Sequence, residues 1–183
     1  STTGYVNVNR SISPTSTAYI RHYVRFTSLP PDIGSKLFIN SLMDSTWRAN
    51  AMVKKDIDGT VRWGIRYLTV PWEWHDSALS GSVSTDTWYL VELRLTTGTS
   101  GMITLWINGK VMVNVSANLG TENIVNSYIR ATKENWSSAQ DIEVYHDDVV
   151  VSTNYIGGET QSWSNVTKTL NSTVGSVVQW RVY

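Results

Sequence analysis

Apolar and polar residues alternate along most of this chain, which is the period of a β-strand with one buried face. Between Ala18 and Leu29, for example, Ile20, Val24 and Phe26 fall on one side, and tyrosine and arginine residues fall on the other. Almost no segment has the period of an amphipathic helix. The predicted strands are residues 5–9, 18–29, 36–43, 47–55, 60–70, 88–95, 102–107, 110–115, 124–132 and 141–152.

The segment Thr87–Val113 gives the clearest signal for antiparallel pairing. It contains three of the predicted strands, and Asn108-Gly109 separates the last two. Asn-Gly favours a type I′ turn, because both central residues of that turn need positive φ. Short strands with frequent turns predict an all-β fold, an antiparallel β-sandwich or jelly roll whose two sheets pack face to face. Trp88 and Trp106 are predicted to pack in its core.

The character of the sequence changes after Gly158. Residues 163–170 and 174–183 have the pattern of a further β-hairpin. We therefore expect a sandwich over residues 1–158 and a C-terminal strand pair over residues 159–183. A lone hairpin is only marginally stable in water. This strand pair is predicted to dock on the sandwich, to exchange with a neighbouring subunit, or to open a further module.

Composition and charge exclude several classes of function. The 183 residues carry 15 basic and 15 acidic side chains, so no overall field favours nucleic acid or an anionic membrane. No apolar run approaches the roughly 20 residues of a membrane-spanning helix. Because the chain begins at Ser1 rather than methionine and shows no signal peptide, we interpret it as a mature or excised form.

Cysteine is absent, which excludes disulfides, zinc–thiolate sites and thiol catalysis. The abundance of Ser, Thr, Asn, Trp and Tyr, with few Lys and Glu, favours an exported protein. Asn-x-Ser/Thr sequons point the same way, since they are acceptors for glycosylation. We therefore expect an extracellular or cell-surface location. The five sequons lie at Asn9, Asn114, Asn135, Asn165 and Asn171.

Four motifs, in their order and spacing, carry a resemblance to a known superfamily. They are Tyr23-Val24-Arg25-Phe26, Thr87-Trp88-Tyr89-Leu90-Val91-Glu92-Leu93, Leu105-Trp106-Ile107-Asn108-Gly109 and Asp147-Asp148-Val149-Val150-Val151-Ser152. The span 18–157 resembles a concanavalin A-like (laminin-G-like) lectin/glucanase domain. The resemblance implies a sandwich that hosts lectins, sugar-binding modules, hydrolases, lyases and adhesion domains alike. Residues 163–183 resemble the opening hairpin of an immunoglobulin-like module of archaeal surface proteins.

One predicted strand carries candidate catalytic carboxylates. Asp141, Glu143 and Asp147 fall on one face of it, together with Tyr145. Glycoside hydrolysis uses such a pair of carboxylates. The Glu-x-Asp-x-x-Glu strand of laminarinase-like relatives is not reproduced here, however, since the general-acid Glu is missing. We favour an exposed polar face, and no catalytic residue is assigned.

The motif Val91-Glu92-Leu93-Arg94 resembles the Arg-x-Glu-Leu-Arg strand of alginate-lyase-like sandwiches. Those enzymes also need a Gln-x-His strand and a tyrosine acid/base, and this chain contains no Gln-x-His. The histidines, His22, His75 and His146, are scattered. An ion pair between Glu92 and Arg94 on the solvent side of the sheet is the interpretation that the residues favour.

The segment Trp72-Glu73-Trp74-His75-Asp76 is the best candidate for ligand binding. In an extended segment the two indoles lie on the same side and form a platform on which sugar rings can stack. Glu73, His75 and Asp76 could hydrogen-bond sugar hydroxyls. The alternative is that one or both tryptophans fill the end of the sandwich.

Calcium is the one cofactor that the sequence suggests. Asp147 and Asp148 could hold it at the rim of the sandwich, as in many domains of the superfamily. The triplet Asp56-Ile57-Asp58 followed by Gly59 also contains two carboxylates, but a tight hairpin turn explains it better than a calcium loop.

Three functions follow from these features. The leading interpretation is a non-catalytic extracellular module for carbohydrate binding or cell-surface display. The first alternative is a subunit of an extracellular filament or surface layer that pairs with identical subunits through its terminal strands. The second alternative is a glycoside hydrolase or polysaccharide lyase. The expected partner is a glycan or polysaccharide, without nucleic acid and without a membrane span.

Overall fold

The computed structural model of the protein describes residues 5–137 and 142–157, and within them every regular element is a β-strand. The all-β fold class predicted from the sequence is confirmed. The strands are β1 (Tyr5–Thr15), β2 (Thr17–Phe26), β3 (Lys36–Met43), β4 (Trp47–Lys55), β5 (Val61–Thr69), β6 (Glu73–Asp76), β7 (Ser80–Ser82), β8 (Tyr89–Thr96), β9 (Gly101–Ile107), β10 (Lys110–Ala117), β11 (Ile124–Glu134) and β12 (Val144–Ser152).

These strands form two antiparallel sheets that pack as a sandwich. The larger sheet has seven strands in the order β1-β11-β3-β4-β5-β6, with β7 also paired to β5. The smaller sheet has five strands in the order β10-β9-β8-β2-β12. Strands β11 and β3 pack over β12, β2 and β8, while β5 and β7 pack over β10. The described part of the chain contains no helix that could cross a membrane.

The meander predicted for residues 87–113 is present as β8, β9 and β10. Asn108 and Gly109 form its second turn with φ values of 52° and 77°, as a type I′ turn requires. Two details refine the sequence interpretation. Residues 71–76, predicted as a loop or irregular edge, contain the regular edge strand β6, and β1 extends to Thr15 because it pairs with β11 along its length.

The core lies between the inner faces of the two sheets, and its two fully buried tryptophans are Trp63 and Trp136. The prediction that Trp88 and Trp106 fill the core is wrong. Trp88 is 45% exposed, and Trp106 lies half-buried on the outer face of the five-stranded sheet. The reason is register, since Tyr89 and the aliphatic residues of β8 and β9 already take the inward positions. The C-terminal strand pair predicted over residues 159–183 lies outside the described residues.

Candidate functional site

A row of polar side chains crosses the outer face of the seven-stranded sheet. Directly opposed residues of neighbouring strands point to the same side of a sheet. The register opposes Tyr128 to Ser41, Ser41 to Asn50, and Asn50 to Arg66, and it continues from Arg66 to Asp76. Five strands therefore place one chemically rich row on a single surface.

Arg130 is the central cation of this surface. Its guanidinium donates hydrogen bonds to Asn50 Oδ1 at 2.9 Å and to Ser41 Oγ at 3.2 Å. It also donates to Thr132 Oγ1 at 3.0 and 3.1 Å. All of these partners are neutral. Burial lowers the pKa of Arg130 to about 10, so the group is still a cation at neutral pH, and its charge is available to an anionic ligand.

Aromatic rings surround this cation. The Arg130 guanidinium lies 4.4 Å from the ring centre of Trp47 and 5.4 Å from that of Phe38. Trp47 in turn contacts Tyr128, with ring centres 4.7 Å apart. A cavity of about 270 Å³ opens beside this cation, and Trp74 also lines it. We call this cavity and its walls the basic groove. It is lined by Phe38, Trp47, Asn50, Arg66, Trp74, Arg130, Thr132, Lys133 and Glu134.

An ion-pair network adjoins the basic groove and reaches its wall through Arg66 and Glu134. Lys36 lies 2.9 Å from Asp76 and 3.0 Å from Glu134, and Lys54 also contacts Asp76 at 2.9 Å. Arg66 pairs with Glu134. Burial raises the pKa of Asp76, but hydrogen bonds from Lys54 and Lys36 outweigh it and hold that pKa below its ordinary value. Three cations thus share two carboxylates, and Arg130 adds a further positive charge.

The predicted ligand-binding segment contributes in part to this groove. Trp74 lies beside Arg66, with 5.2 Å between its ring centre and the guanidinium. Asp76 belongs to the ion-pair network. His75 points to the other side of the strand, where it stacks on Tyr67 with ring centres 5.3 Å apart. Its Nε2 lies 3.7 Å from Glu73.

Trp72 lies apart from the basic groove. Its ring is 61% exposed and covers the buried Arg48 at 5.5 Å. Arg48 in turn pairs with Asp44 at 2.6 Å. The two indoles of the motif therefore contact different arginines, and only Trp74 lines the cavity.

The candidate catalytic carboxylates lie on the opposite surface of the molecule. Glu143 is exposed and accepts a hydrogen bond of 2.8 Å from Tyr145. Asp147 accepts one of 2.8 Å from the backbone of Asp148. Both carboxylates lie on the outer face of the five-stranded sheet, whereas the basic groove lies on the seven-stranded sheet. Asp141 lies outside the described residues.

The candidate calcium ligands have other partners in the structure. Asp148 lies 3.5 Å from Arg21. Asp56 and Asp58 both pair with Arg62, at 2.7 and 2.5 Å, within the predicted hairpin turn. Across residues 5–137 and 142–157, no three acidic, histidine or cysteine side chains come together as metal ligands. Calcium takes six or more oxygen ligands, which these carboxylates do not supply, and calcium binding stays a prediction.

The motif that resembles alginate lyases has a different environment from the predicted one. Glu92 is buried rather than solvent-facing, and its Oε1 accepts a hydrogen bond of 3.0 Å from the backbone of Ile156. Burial raises the pKa of Glu92. Arg94 lies 5.9 Å from the ring centre of Trp106. The predicted Glu92–Arg94 pair is thus replaced by separate partners on the five-stranded sheet.

Two of the three histidines meet between the sheets. His22 and His146 approach each other to 3.1 Å between their Nδ1 atoms, and His22 Nε2 lies 2.9 Å from the amide nitrogen of Asn40. Desolvation lowers the pKa of His22 to about 3 and that of His146 to about 4. Both rings are therefore neutral at physiological pH and structural in position.

The predicted sequons are exposed where the structure describes them. Asn9 lies on β1, Asn114 on β10, and Asn135 just after β11, each with an exposed side chain. Asn165 and Asn171 lie outside the described residues. Glycosylation stays a prediction.

Comparison with known proteins finds solved structures that share this β-sandwich fold. No protein-family model and no curated protein matches the chain by sequence. Solved structures do match. An alginate lyase variant in complex with an alginate trisaccharide aligns with a TM-score of 0.67 and 16% identity, over 81% of this chain and 75% of that one. The endo-β-1,4-glucuronan lyase of the fungus Trichoderma reesei aligns with a TM-score of 0.62 and 11% identity, over 85% and 77%.

A sialidase aligns as well, with a TM-score of 0.54 and 15% identity, over 81% of this chain and 14% of that one. At these identities the likeness establishes the β-sandwich fold. It also contradicts our leading functional interpretation, a non-catalytic module, because the first structures found are alginate and glucuronan lyases. The lyase alternative agrees better with them.

Sequence reasoning missed the main components of the basic groove. Arg130, Asn50, Arg66 and Trp47 line the groove, and Tyr128 adjoins it through its contact with Trp47. These residues come from three strands, and none belongs to a recognisable motif. One signal was present. Residues 128, 130, 132 and 134 alternate with apolar residues as Tyr, Arg, Thr and Glu, which marks the outer face of one strand but does not show what that face meets.

Proposed function

We propose that this protein is a polysaccharide lyase that acts on an acidic, uronate-containing polysaccharide in the basic groove. The observation that carries the proposal is Arg130, a half-buried cation whose hydrogen-bond partners named above are all neutral and which lines a cavity together with tryptophan. The likeness to alginate and glucuronan lyases supports it. The finer assignment to the concanavalin A-like superfamily is part of the same proposal.

The charge of the groove suits the substrate of a β-elimination. A uronate ring carries a carboxylate next to the carbon that loses its proton. Pairing of that carboxylate with Arg130 stabilises the negative charge that develops on it in the transition state. Arg66 lies in the cross-strand row described above and also lines the groove. It binds the next carboxylate along a polyanionic chain, which replaces Glu134 as its partner.

Tyr128 is the residue that we assign to proton transfer. It projects from β11 on the same face as Arg130 and contacts Trp47 at the wall of the groove. A tyrosine is an established type of general acid and base. Tyr128, as the phenolate, takes the proton from C5 of the uronate, and the electrons of the C5–H bond form the C4=C5 double bond. The C4–O4 bond breaks with its electron pair on O4, and the Tyr128 phenol returns the proton to O4, so atoms and charge balance.

The histidines do not fit this role. His22 and His146 lie between the sheets, and His75 points away from the groove against Tyr67. Lys36 and Lys54 lie outside the lining of the groove, and both pair with Asp76. Lys133 lines the groove, and its ammonium lies 4.9 Å from the ring centre of Trp136. Among the groups on this face we assign proton transfer to Tyr128. An extracellular location would give such an enzyme access to its polymer.

Turnover of defined polymers tests the proposal. The full chain is incubated with alginate, with glucuronan and with a neutral β-glucan, and the unsaturated product is followed by its ultraviolet absorbance. We expect product from at least one acidic polymer and none from the neutral one. Tyr128→Phe should lower kcat by about 100-fold or more with little change in KM, the usual size of an acid–base contribution.

Tyr145→Phe is the matched control, since it removes a phenol from the outer face of the other sheet. It should leave kcat within about twofold of the parent protein. Two results would overturn the assignment: no product from any acidic polymer, or equal loss of activity in the two tyrosine variants.

A further inference from the structure

The five-stranded sheet ends beneath an overhanging strand of the other sheet. In the described part of the chain, β12 has a neighbour on one side only, and so does β1. β11 packs over β12 and β2, so β1 extends beyond the last strand below it. The register opposes Val6 to Ala131 and Val8 to Ile129, which places these valines on the core-facing side of β1. They are nevertheless 70% and 69% exposed.

A continuous trough runs between β1 and β12 as a result, and its lining is mainly apolar around Val6 and Val8 and mainly polar toward Ser13. Three adjoining cavities of about 520, 370 and 300 Å³ follow one another along the two strands. The trough extends from Val6 to Ser13 on β1 and from Ile142 to Thr153 along β12. Its length is therefore that of a whole strand, with Val149 and Val151 on the wall below.

The geometry points to a missing sixth strand of the smaller sheet, and we propose that residues 174–183 of the same chain supply it by pairing with the free edge of β12. An edge strand offers unpaired backbone groups to an extended segment. In residues 174–183, Val174, Val178, Trp180 and Val182 alternate with the other side chains, and Ser176 is the polar member of that face. This apolar face would cover Val6 and Val8.

The length of the connection is sufficient. Gly157, the last described residue, accepts a hydrogen bond of 3.1 Å from Arg21 of β2, the strand next to β12. The free edge of β12 is therefore about 10 Å away, or two strand spacings. Residues 158–173 can span more than about 50 Å when extended. Ten residues of strand cover roughly 33 Å, which matches the length of the trough.

A tether also favours the chain's own segment over that of another molecule, because linkage raises the effective concentration to the millimolar range. Pairing of β12 with β12 of a second copy is disfavoured for another reason. It would bring Asp147 and Asp148 of both copies to one seam, and like charges across a strand pair are destabilising. This proposal concerns the completeness of the fold and does not rest on lyase activity.

Hydrogen exchange of the full chain, followed by mass spectrometry, tests the proposal. We expect residues 174–183 and β12 to exchange slowly, as the buried β8 does, in protein that is monomeric by native mass spectrometry. Val8→Asp should raise the exchange rate of residues 174–183 by about tenfold or more, because it places a charge in the trough. Val111→Asp is the matched control, an exposed valine at the far edge on β10, and should change nothing there.

A second measurement uses the absence of cysteine in the chain. A double variant, Val8→Cys with Val178→Cys, should be joined within one molecule by a short bismaleimide, whereas Val111→Cys with Val178→Cys should not. The proposal is overturned if residues 174–183 exchange at the rate of an unstructured peptide. It is equally overturned if their protection disappears on dilution or the cross-link joins two molecules, since the strand would then come from another copy.

Discussion

Two arginine–aromatic clusters lie on opposite outer faces of this sandwich. Arg130 lies against Trp47 on the seven-stranded sheet, at 4.4 Å from the ring centre. Arg25 lies against Tyr145 on the five-stranded sheet, at 4.6 Å, with Trp88 at 5.6 Å. By residue type and distance they are nearly equivalent. Their surroundings differ, and the difference decides which of them can serve a polysaccharide.

Arg130 stands in a cavity and is bonded to hydroxyls and an amide. Arg25 stands beside Tyr145, which is 40% exposed and donates its hydroxyl to Glu143. The second cluster thus has a carboxylate close by, and its Tyr145 and Glu143 border the cavity of about 520 Å³ between β1 and β12, whereas every hydrogen-bond partner of Arg130 named above is neutral. A cation next to rings is not sufficient for a site. The cation must itself line a cavity, as Arg130 does, and its charge must not be neutralised by a neighbouring carboxylate.

The largest expected effect comes from removing each arginine in turn. Arg130→Met should reduce kcat/KM on the acidic polymer by about 100-fold or more, because a preorganised cation at the developing charge contributes on that scale. Arg25→Met removes an equivalent arginine–aromatic contact from the other face and should stay within about twofold. Steady-state kinetics with thermal melts of both variants makes the comparison. Equal losses would mean that the two faces do not differ as inferred.

The stability contributed by the histidines between the two sheets depends on pH, and this dependence distinguishes that region from the two outer faces. His22 and His146 have folded-state pKa values lowered to about 3 and about 4, against 6.5 when unfolded. Below pH 6.5 the unfolded chain therefore binds protons that the folded chain does not. The contribution of the two histidines to the free energy of unfolding is fully present above pH 6.5. It falls as the pH drops toward 4, by roughly 1 kcal/mol per pH unit for each histidine.

Urea denaturation at a series of pH values between about 7 and 4.5 measures this slope. His146→Gln should flatten it by about half. His75→Gln, at a half-exposed histidine stacked on Tyr67, should leave it unchanged. A slope that both variants retain would assign the acid sensitivity to groups other than the buried pair.

The fold was largely predictable from the sequence, because alternation and turn chemistry are local. Residues 36–43 and 47–55 were predicted as strands with the bounds that the structure has. The burial of particular tryptophans was not predictable in the same way. Trp63 is buried and Trp88 is not, yet the alternation predicts a strand around each of them. Which of them faces inward depends on register against another strand.

The basic groove was less predictable than the fold for the same reason. Trp74 and Asp76 were singled out because they belong to one short aromatic motif. Arg130 and Asn50 are 80 residues apart and meet through the order β11-β3-β4. The motifs that resemble enzyme strands, around Glu92 and Asp147, are contiguous and therefore visible, but they lie on the other sheet.

A smaller effect is expected from the exposed indoles. Trp74 is 41% exposed in the groove, and Trp88 is 45% exposed on the opposite face. Trp74→Ala should weaken polysaccharide binding by about 3- to 10-fold, the scale of one aromatic stacking contact. Trp88→Ala should have no measurable effect. Isothermal titration with an inactive Tyr128→Phe background compares the two, and an effect of Trp88→Ala as large as that of Trp74→Ala would move the binding surface away from the groove.

The smallest expected effect comes from removing a negative charge from the groove, which tests whether the positive charge of the groove binds the polysaccharide. Glu134 pairs with Lys36 and Arg66, so Glu134→Gln frees Arg66 for a polyanion and leaves Lys36 paired with Asp76 alone. We expect a two- to fourfold tighter dissociation constant for alginate at low salt, and no difference at high salt, where exposed charges are screened. Glu143→Gln on the other face should change neither value. Weaker binding by Glu134→Gln would instead show that Glu134 holds Arg66 in the position that the sugar chain needs.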